Sequence, residues 1–178
     1  ARLSPIRMAP PARGRAGSIA GRAVNLGERL HLRGLYEAPL EYSPLVQPAG
    51  ERGLALHCVD TRVWVDSDPQ LLRRVLQNFL ANAVRYTQRG RVLIGCRRRG
   101  ALLSIEVWDT GPGIPAHELP HVFEEFYQID NSSRDRTRGL GMGLAIVKRL
   151  CELLDASLEL QSDPGQGTTF RIVFPRGY

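Results

Sequence analysis

The chain has 178 residues and a mass of 19.8 kDa, with 43% hydrophobic and 24% charged residues. An apolar share of that size builds a core, which excludes a chain disordered throughout, a collagen-like repeat and a low-complexity polymer. A net charge of +6 is compatible with nucleic acid, nucleotides or acidic proteins as partners, but almost all of the positive charge is arginine, with Lys148 the only lysine. Such a skew reads as genome base composition, and no nucleic-acid partner is expected. No apolar run approaches the roughly 18–20 residues of a membrane helix, and no signal-peptide pattern opens the chain. Cys58, Cys96 and Cys151 show neither C-x-x-C spacing nor a disulfide framework, so a reducing cytosol and core positions are expected for them.

From Ala1 to about Gly34 the chain is rich in Arg, Pro, Ala and Gly, with little apolar periodicity. It reads as a linker or the remnant of a preceding region. Leu35 to Val46 fits a short helix or an extended segment, and residues 1–45 are set apart from a folded domain over 46–178. Leu54–Val59 and Val63–Val65 read as short strands around Asp60-Thr61. Asp68-Pro69 is a helix start, a capping carboxylate followed by proline at the first helical position. Leu71, Leu72, Val75, Leu76, Phe79, Leu80, Ala83 and Val84 then recur at helical spacing. Val92–Cys96 and Leu102–Trp108 predict a β-hairpin with Arg97, Arg98 and Arg99 at its solvated tip. A glycine-rich segment, the stretch Val122–Ile129 and a polar loop from Asp130 to Arg138 precede a second helix over about Gly141 to Leu154. Ser157–Gln161 and Thr168–Phe174 read as two last strands around a Pro-Gly turn. Helices and adjacent antiparallel strands in this order predict an α/β (α+β) two-layer sandwich, a mixed and mostly antiparallel sheet with helices on one face.

Three groups of residues carry chemistry. Asn78, Asn82, Arg85 and Tyr86 line one flank of the first helix at the border of its apolar face, where polar residues are also ordinary. Asp109 ends its strand and alternates in phase with Leu103, Ile105 and Val107, so its carboxylate points toward the core. Gly111 and Gly113 follow at once, either as a tight turn or as a wall that lets a flat ligand approach the backbone. Gly139, Gly141 and Gly143 lead into the second helix, whose exposed N–H groups suit phosphate, although a plain loop would also use glycines.

Together and in order, these segments resemble the ATP-binding catalytic domain of sensor histidine kinases, in the Bergerat-fold ATPase superfamily. The likeness runs from about Asp66 to Pro175. Leu76-Gln77-Asn78-Phe79-Leu80-Ala81-Asn82-Ala83-Val84-Arg85-Tyr86-Thr87 resembles the N box of that family, and Asp109-Thr110-Gly111-Pro112-Gly113-Ile114-Pro115 its G1 box. Val122-Phe123-Glu124-Glu125-Phe126-Tyr127 is similar to the F box, Gly139 through Leu144 to the G2 box, and Gly165-Gln166-Gly167-Thr168 to the last glycine motif. The resemblance implies that ATP and Mg²⁺ bind here. Asn82 would hold the Mg²⁺, Arg85 would reach a phosphate, and Tyr86 would pack near the ribose. Asp109 would accept from the adenine amine, with Thr168 supporting it through water. Gly111, Gly113, Ile114, Phe126, Arg138, Gly139, Leu140, Gly141, Met142, Gly143 and Leu144 would complete the nucleotide site, and residues from about Gln128 to Arg138 its lid. Asn78, Asn82 and Arg85 are the implied catalytic set.

ATP-hydrolysing relatives such as gyrase and the heat-shock chaperones carry glutamate where this chain has Asn78, which takes no proton at neutral pH. Transfer to a protein is thereby favoured over hydrolysis. His117-Glu118-Leu119-Pro120-His121 fits the H-E-x-x-H zinc signature, but Pro120 breaks the helix that signature requires. The chain carries no recognisable phosphoacceptor histidine. The implied activity is that of a protein histidine kinase in a two-component system, acting on a separate dimerisation and phosphoacceptor domain of the same kinase. A response regulator receiver domain would take the group next. The parent is expected to be a homodimer with this part in the cytoplasm and no membrane segment in it. A nucleotide sensor without transfer is the alternative.

Overall fold

The computed structural model describes residues 6–8, 29–31, 49–50, 53–129 and 141–174. Its strands are β1 (Ile6–Met8), β2 (Arg29–His31), β3 (Leu54–Cys58), β4 (Trp64–Asp66), β5 (Gly90–Arg99), β6 (Leu102–Asp109), β7 (Ser157–Asp163) and β8 (Gly167–Phe174). The helices α1 (Pro69–Tyr86) and α2 (Gly143–Leu153) pack with these strands, and residues 49–50 are also helical. The main sheet has six strands in the order β1-β7-β8-β6-β5-β3, and only β3 with β5 runs parallel. β2 and β4 form a separate antiparallel pair. The architecture is the expected mixed, mostly antiparallel sheet.

The α1 helix starts where the sequence places it. Asp68 Oδ1 accepts the N–H groups of Gln70 at 2.9 Å and Leu71 at 3.0 Å, which satisfies two donors at an end that has no carbonyl partners. Leu72, Val75, Leu76, Phe79, Leu80, Ala83 and Val84 are all buried, so one face of α1 lies on the sheet. Phe79 stacks on Phe170 of β8, with ring centroids 5.1 Å apart, and ties the helix to the middle of the sheet. Val147, Leu150 and Cys151 seat α2 beside it. Alternation gives the sheet an apolar inner face, with Ile94, Ile105, Val107, Leu158, Leu160 and Ile172 buried. The outer face is polar and carries Arg171 and Glu106, 3.3 Å apart, and Arg7 with Glu159 at 3.5 Å.

Several local expectations change. Arg97, Arg98 and Arg99 belong to β5, paired with Ser104, Leu103 and Leu102, and the hairpin tip is Gly100-Ala101. The strand runs on because β6 pairs with it to the end; on the outer face Arg97 Nε lies 3.9 Å from Glu106 Oε2. Within 1–45, read as a linker or the remnant of a preceding region, residues 6–8 and 29–31 are the strands β1 and β2, while Leu35–Val46 lies outside the described residues. Only one cysteine is a core residue. Cys151 is buried, Cys96 half-buried beside the Thr61 hydroxyl at 2.9 Å, and Cys58 exposed at the end of β3.

Two measurements test this packing. Asp68→Ala should cost about 1 kcal/mol of stability, with Asp68→Ser near the parent, read as a shift in urea midpoint at constant slope. At pH 8 a thiol reagent should modify Cys58 first. Cys151, whose thiol burial and the neighbouring Glu152 push up to about 12, should react only on unfolding.

Candidate functional site

The site gathers at the end of the sheet where β6 stops and the β7–β8 turn begins. Asp109 is 4% exposed and sits opposite Val92, on the inner face as its alternation predicts. Its Oδ1 accepts the Gly111 N–H at 2.8 Å and the Thr168 N–H at 3.3 Å, which leaves Oδ2 without a backbone donor. Burial pushes this carboxyl above its ordinary value of 3.8, with the N–H groups of Gly111 and Thr168 and the Thr87 hydroxyl pulling the other way. Thr87, at the C-cap of α1, is fully buried; its hydroxyl lies near the carboxylate but makes no hydrogen bond of good geometry. Thr168 thus meets Asp109 directly through its backbone N–H. Its side chain turns instead to Ser162 Oγ at 2.9 Å.

The segment after Asp109 is held by close backbone contact. Gly113 has φ +72°, and a Cβ there would fall 2.2 Å from Asp163 O, so no other residue fits without moving the turn. Gly165 N donates to Pro112 O at 2.7 Å, closing the turn onto the segment, and Ile114 N donates to Ser162 Oγ at 2.8 Å. Gly111 packs against Asp109 and Thr87, where a methyl group would meet Asp109 Oδ1 at 2.8 Å.

Asn78, Asn82, Arg85 and Tyr86 lie on one flank of α1, the first two half-buried and the last two exposed. Asn78 Nδ2 donates to Arg74 O at 2.8 Å, and its Oδ1 would lie 2.9 Å from a methyl group on Gly143. That contact sets the start of α2, with Met142 as its N-cap and Leu144 packed on the core, against the polar flank of α1. Gly141 has φ +69° and accepts the Phe126 N–H at 3.2 Å, which joins the two segments. Phe126 itself is 68% exposed with φ 64°. Arg138, Gly139 and Leu140 lie outside the described residues, as does most of the segment read as a lid.

The histidine-glutamate motif is a series of turns, with Glu118 N bonded to Pro115 O and His121 N to Glu118 O, both at 2.9 Å. His121 Nδ1 pairs with Glu124 Oε1 at 2.8 Å, and Tyr127 Oη donates to Glu118. No group of three or more metal-ligating side chains assembles among the described residues. A groove of about 580 Å³ lined by Phe123, Met142, Ile146 and Arg149 contains none of Asn82, Asp109 and Thr168, so it is distinct from the space around the carboxylate. Reading by residue type missed Ser162 and gave Thr87 no role. Ending β7 at Gln161 hid the inward alternation of Leu158, Leu160 and Ser162.

Residues 67–178 match the family described as histidine kinase-, DNA gyrase B-, and HSP90-like ATPase, and the chain belongs to that family. It is 36% identical over 137 residues to the sensor histidine kinase RcsC of Escherichia coli, covering 75% of this chain and 14% of that protein. The circadian input-output histidine kinase CikA of Synechococcus elongatus is 41% identical over 110 residues, 61% of this chain and 15% of its own length. The chain therefore spans about one seventh of these curated relatives. Full-length ShkA solved in complex with AMPPNP superposes with a TM-score of 0.72 at 27% identity, covering 92% of this chain and 32% of that one. The mycobacterial sensor histidine kinase MprB gives 0.69 at 28% identity, covering 85% and 99%. No helix among the described residues is long and apolar enough to cross a membrane.

The buried carboxylate has a stability signature. Because folded Asp109 holds its proton to a higher pH than the unfolded carboxyl, its contribution is fully present below the unfolded value of 3.8. It is lost as pH rises through the folded value, and above that the buried charge is a standing cost. Without nucleotide at pH 7, Asp109→Asn should therefore melt at or above the parent, and the difference should shrink toward pH 4. A variant several degrees less stable at pH 7 would contradict this electrostatic account.

Proposed function

We propose that this chain is the ATP-binding catalytic part of a two-component sensor histidine kinase, with residues 46–178 as the catalytic domain and 1–45 as a remnant of the preceding region. The γ-phosphoryl group of ATP would pass to a histidine on a dimerisation and phosphoacceptor domain of the same, homodimeric kinase, and then to a response regulator receiver domain. The observation that carries the reading is Asp109: a buried, acceptor-only carboxylate with one oxygen lacking a backbone donor, at a glycine-lined sheet end. It suits the exocyclic amine of adenine and repels the carbonyl oxygen of guanine. The AMPPNP complex of ShkA, which aligns over most of this chain, supports the same class of ligand.

The other residues follow from this placement. Asn82 offers a hard amide oxygen on the half-buried flank of α1, which fits Mg²⁺ completing its shell with phosphate and water. The ion would neutralise phosphate charge when bound. Arg85 would reach a phosphate and Tyr86 the ribose side, while Gly141, Gly143 and the α2 N-terminus, with Arg138, Gly139 and Leu140 before them, would cradle the triphosphate. Phe126, Met142, Leu144, Gly111, Gly113 and Ile114 would form the walls. Asn78 has its amide committed to Arg74 O and offers no base for water, so positioning for transfer is favoured over hydrolysis. The domain would work in the cytoplasm.

Titration calorimetry with ATP·Mg²⁺ and GTP tests the reading. The chain should bind ATP in preference to GTP. Asp109→Asn should lose about 1.5–3 kcal/mol of ATP affinity, roughly ten- to hundredfold, and narrow the preference. With a separately supplied phosphoacceptor domain and labelled ATP, Asn82→Ala should abolish transfer. Transfer at the parent rate would refute the metal assignment.

A further inference from the structure

Ser162 takes no part in the site as read from the sequence, yet its side chain joins three segments beside Asp109. It is 2% exposed, near the end of β7, and its Oγ meets three groups from different segments. It accepts the Ile114 N–H at 2.8 Å, lies 3.1 Å from Gly167 O, and lies 2.9 Å from Thr168 Oγ1. A serine hydroxyl has one proton and two lone pairs, and a carbonyl oxygen can only accept. Satisfying Gly167 O therefore uses the Ser162 proton. The Thr168 hydroxyl must then donate to Ser162, and Ile114 N–H takes the remaining lone pair. In that arrangement every bond of the hub is made, and Thr168 Oγ1 has no proton left to offer.

We infer that Ser162 is a positioning residue for base selection: by drawing the Thr168 proton away, it makes that hydroxyl an acceptor beside the acceptor-only Asp109. The proposal rests on the reading that Asp109 meets the base. Two neighbouring acceptors at the place of the 6-substituent can take the protons of the adenine amine, and they oppose the guanine carbonyl oxygen there. Without the Ser162 hydroxyl, Thr168 regains a rotatable proton and can donate toward a guanine carbonyl. The Ile114 N–H, on the wall after Gly113, is released at the same time.

The test is a double-variant cycle on the whole chain, reading ATP and GTP affinities by calorimetry and folding by thermal melting. Ser162→Ala should narrow the ATP/GTP preference about fivefold, the size expected for one hydrogen bond. Ser162→Cys, which keeps a side chain in place with a weak donor, should narrow it similarly and decides the matter if the alanine variant does not fold. Ser162→Thr should restore the preference. In a Thr168→Val background, replacing Ser162 should no longer change it. A purely structural role would lower the melting temperature in both backgrounds and leave the ratio alone. Folded Ser162→Ala and Ser162→Cys proteins with unchanged preference, or an equal loss in the Thr168→Val background, overturn the inference. If Asp109→Asn still narrows the preference in that case, the nucleotide reading stands and only the role of Ser162 falls. A parent chain that binds neither nucleotide overturns both.

Discussion

Everything at the open end of this sheet is arranged around one buried carboxylate. Asp109 closes β6 on the inner face, where burial disfavours its charge and only a few donors offset that cost. Those donors come from two places, the Gly111 N–H just after β6 and, far along the chain, the Thr168 N–H at the start of β8. Holding them together requires backbone to approach backbone. A Cβ on Gly167 would lie 1.9 Å from Asp109 O, and one on Gly113 would strike the β7–β8 turn. The glycines follow from this close packing of backbone on backbone around Asp109.

The sheet supplies the rigidity that this arrangement needs. Arg7, Glu159, Arg171 and Glu106 occupy one cross-strand row on the outer face of β1, β7, β8 and β6, alternating in charge. Arg171 Nε lies 3.3 Å from Glu106 Oε1 as an ion pair without good hydrogen-bond alignment, while its terminal nitrogens reach Gln161 Oε1 at 3.3 and 3.4 Å. A largely buried pair of this kind loses much of its attraction to desolvation. Its value is in register: a slip of one residue would place these charges in the apolar core and Asp109, Ser162 and Thr168 outside it.

The polar flank of α1 is tied to the second helix in a comparable way. Gly143 lets the start of α2 come up against Asn78, and Gly141 lets the segment before it lie on Phe126. The start of α2 therefore lies against Asn78, one turn before Asn82 on the same flank of α1. Under the proposed reading, phosphate would lie on that flank and the base at the sheet end.

The sequence by itself carried the helices, the antiparallel core of the sheet and the inward direction of Asp109. These depend on period-3.6 and period-2 patterns, on the Asp68 cap and on Pro69, which are local. It also carried the family, because its motifs stand in order along the chain. What it misjudged depended on neighbours. Arg97–Arg99 extend β5 because β6 pairs with them, and Cys58 is exposed because β3 is the edge of the sheet. β1 exists because β7 has an edge with Leu158 and Leu160 beside it and Glu159 facing Arg7. Ser162 was invisible for the same reason: a serine near a strand end is unremarkable until Ile114, Gly167 and Thr168 are brought around its hydroxyl. Periodicity is written into each segment, whereas the partner of a hydroxyl or a strand edge is decided only when segments distant in sequence pack together.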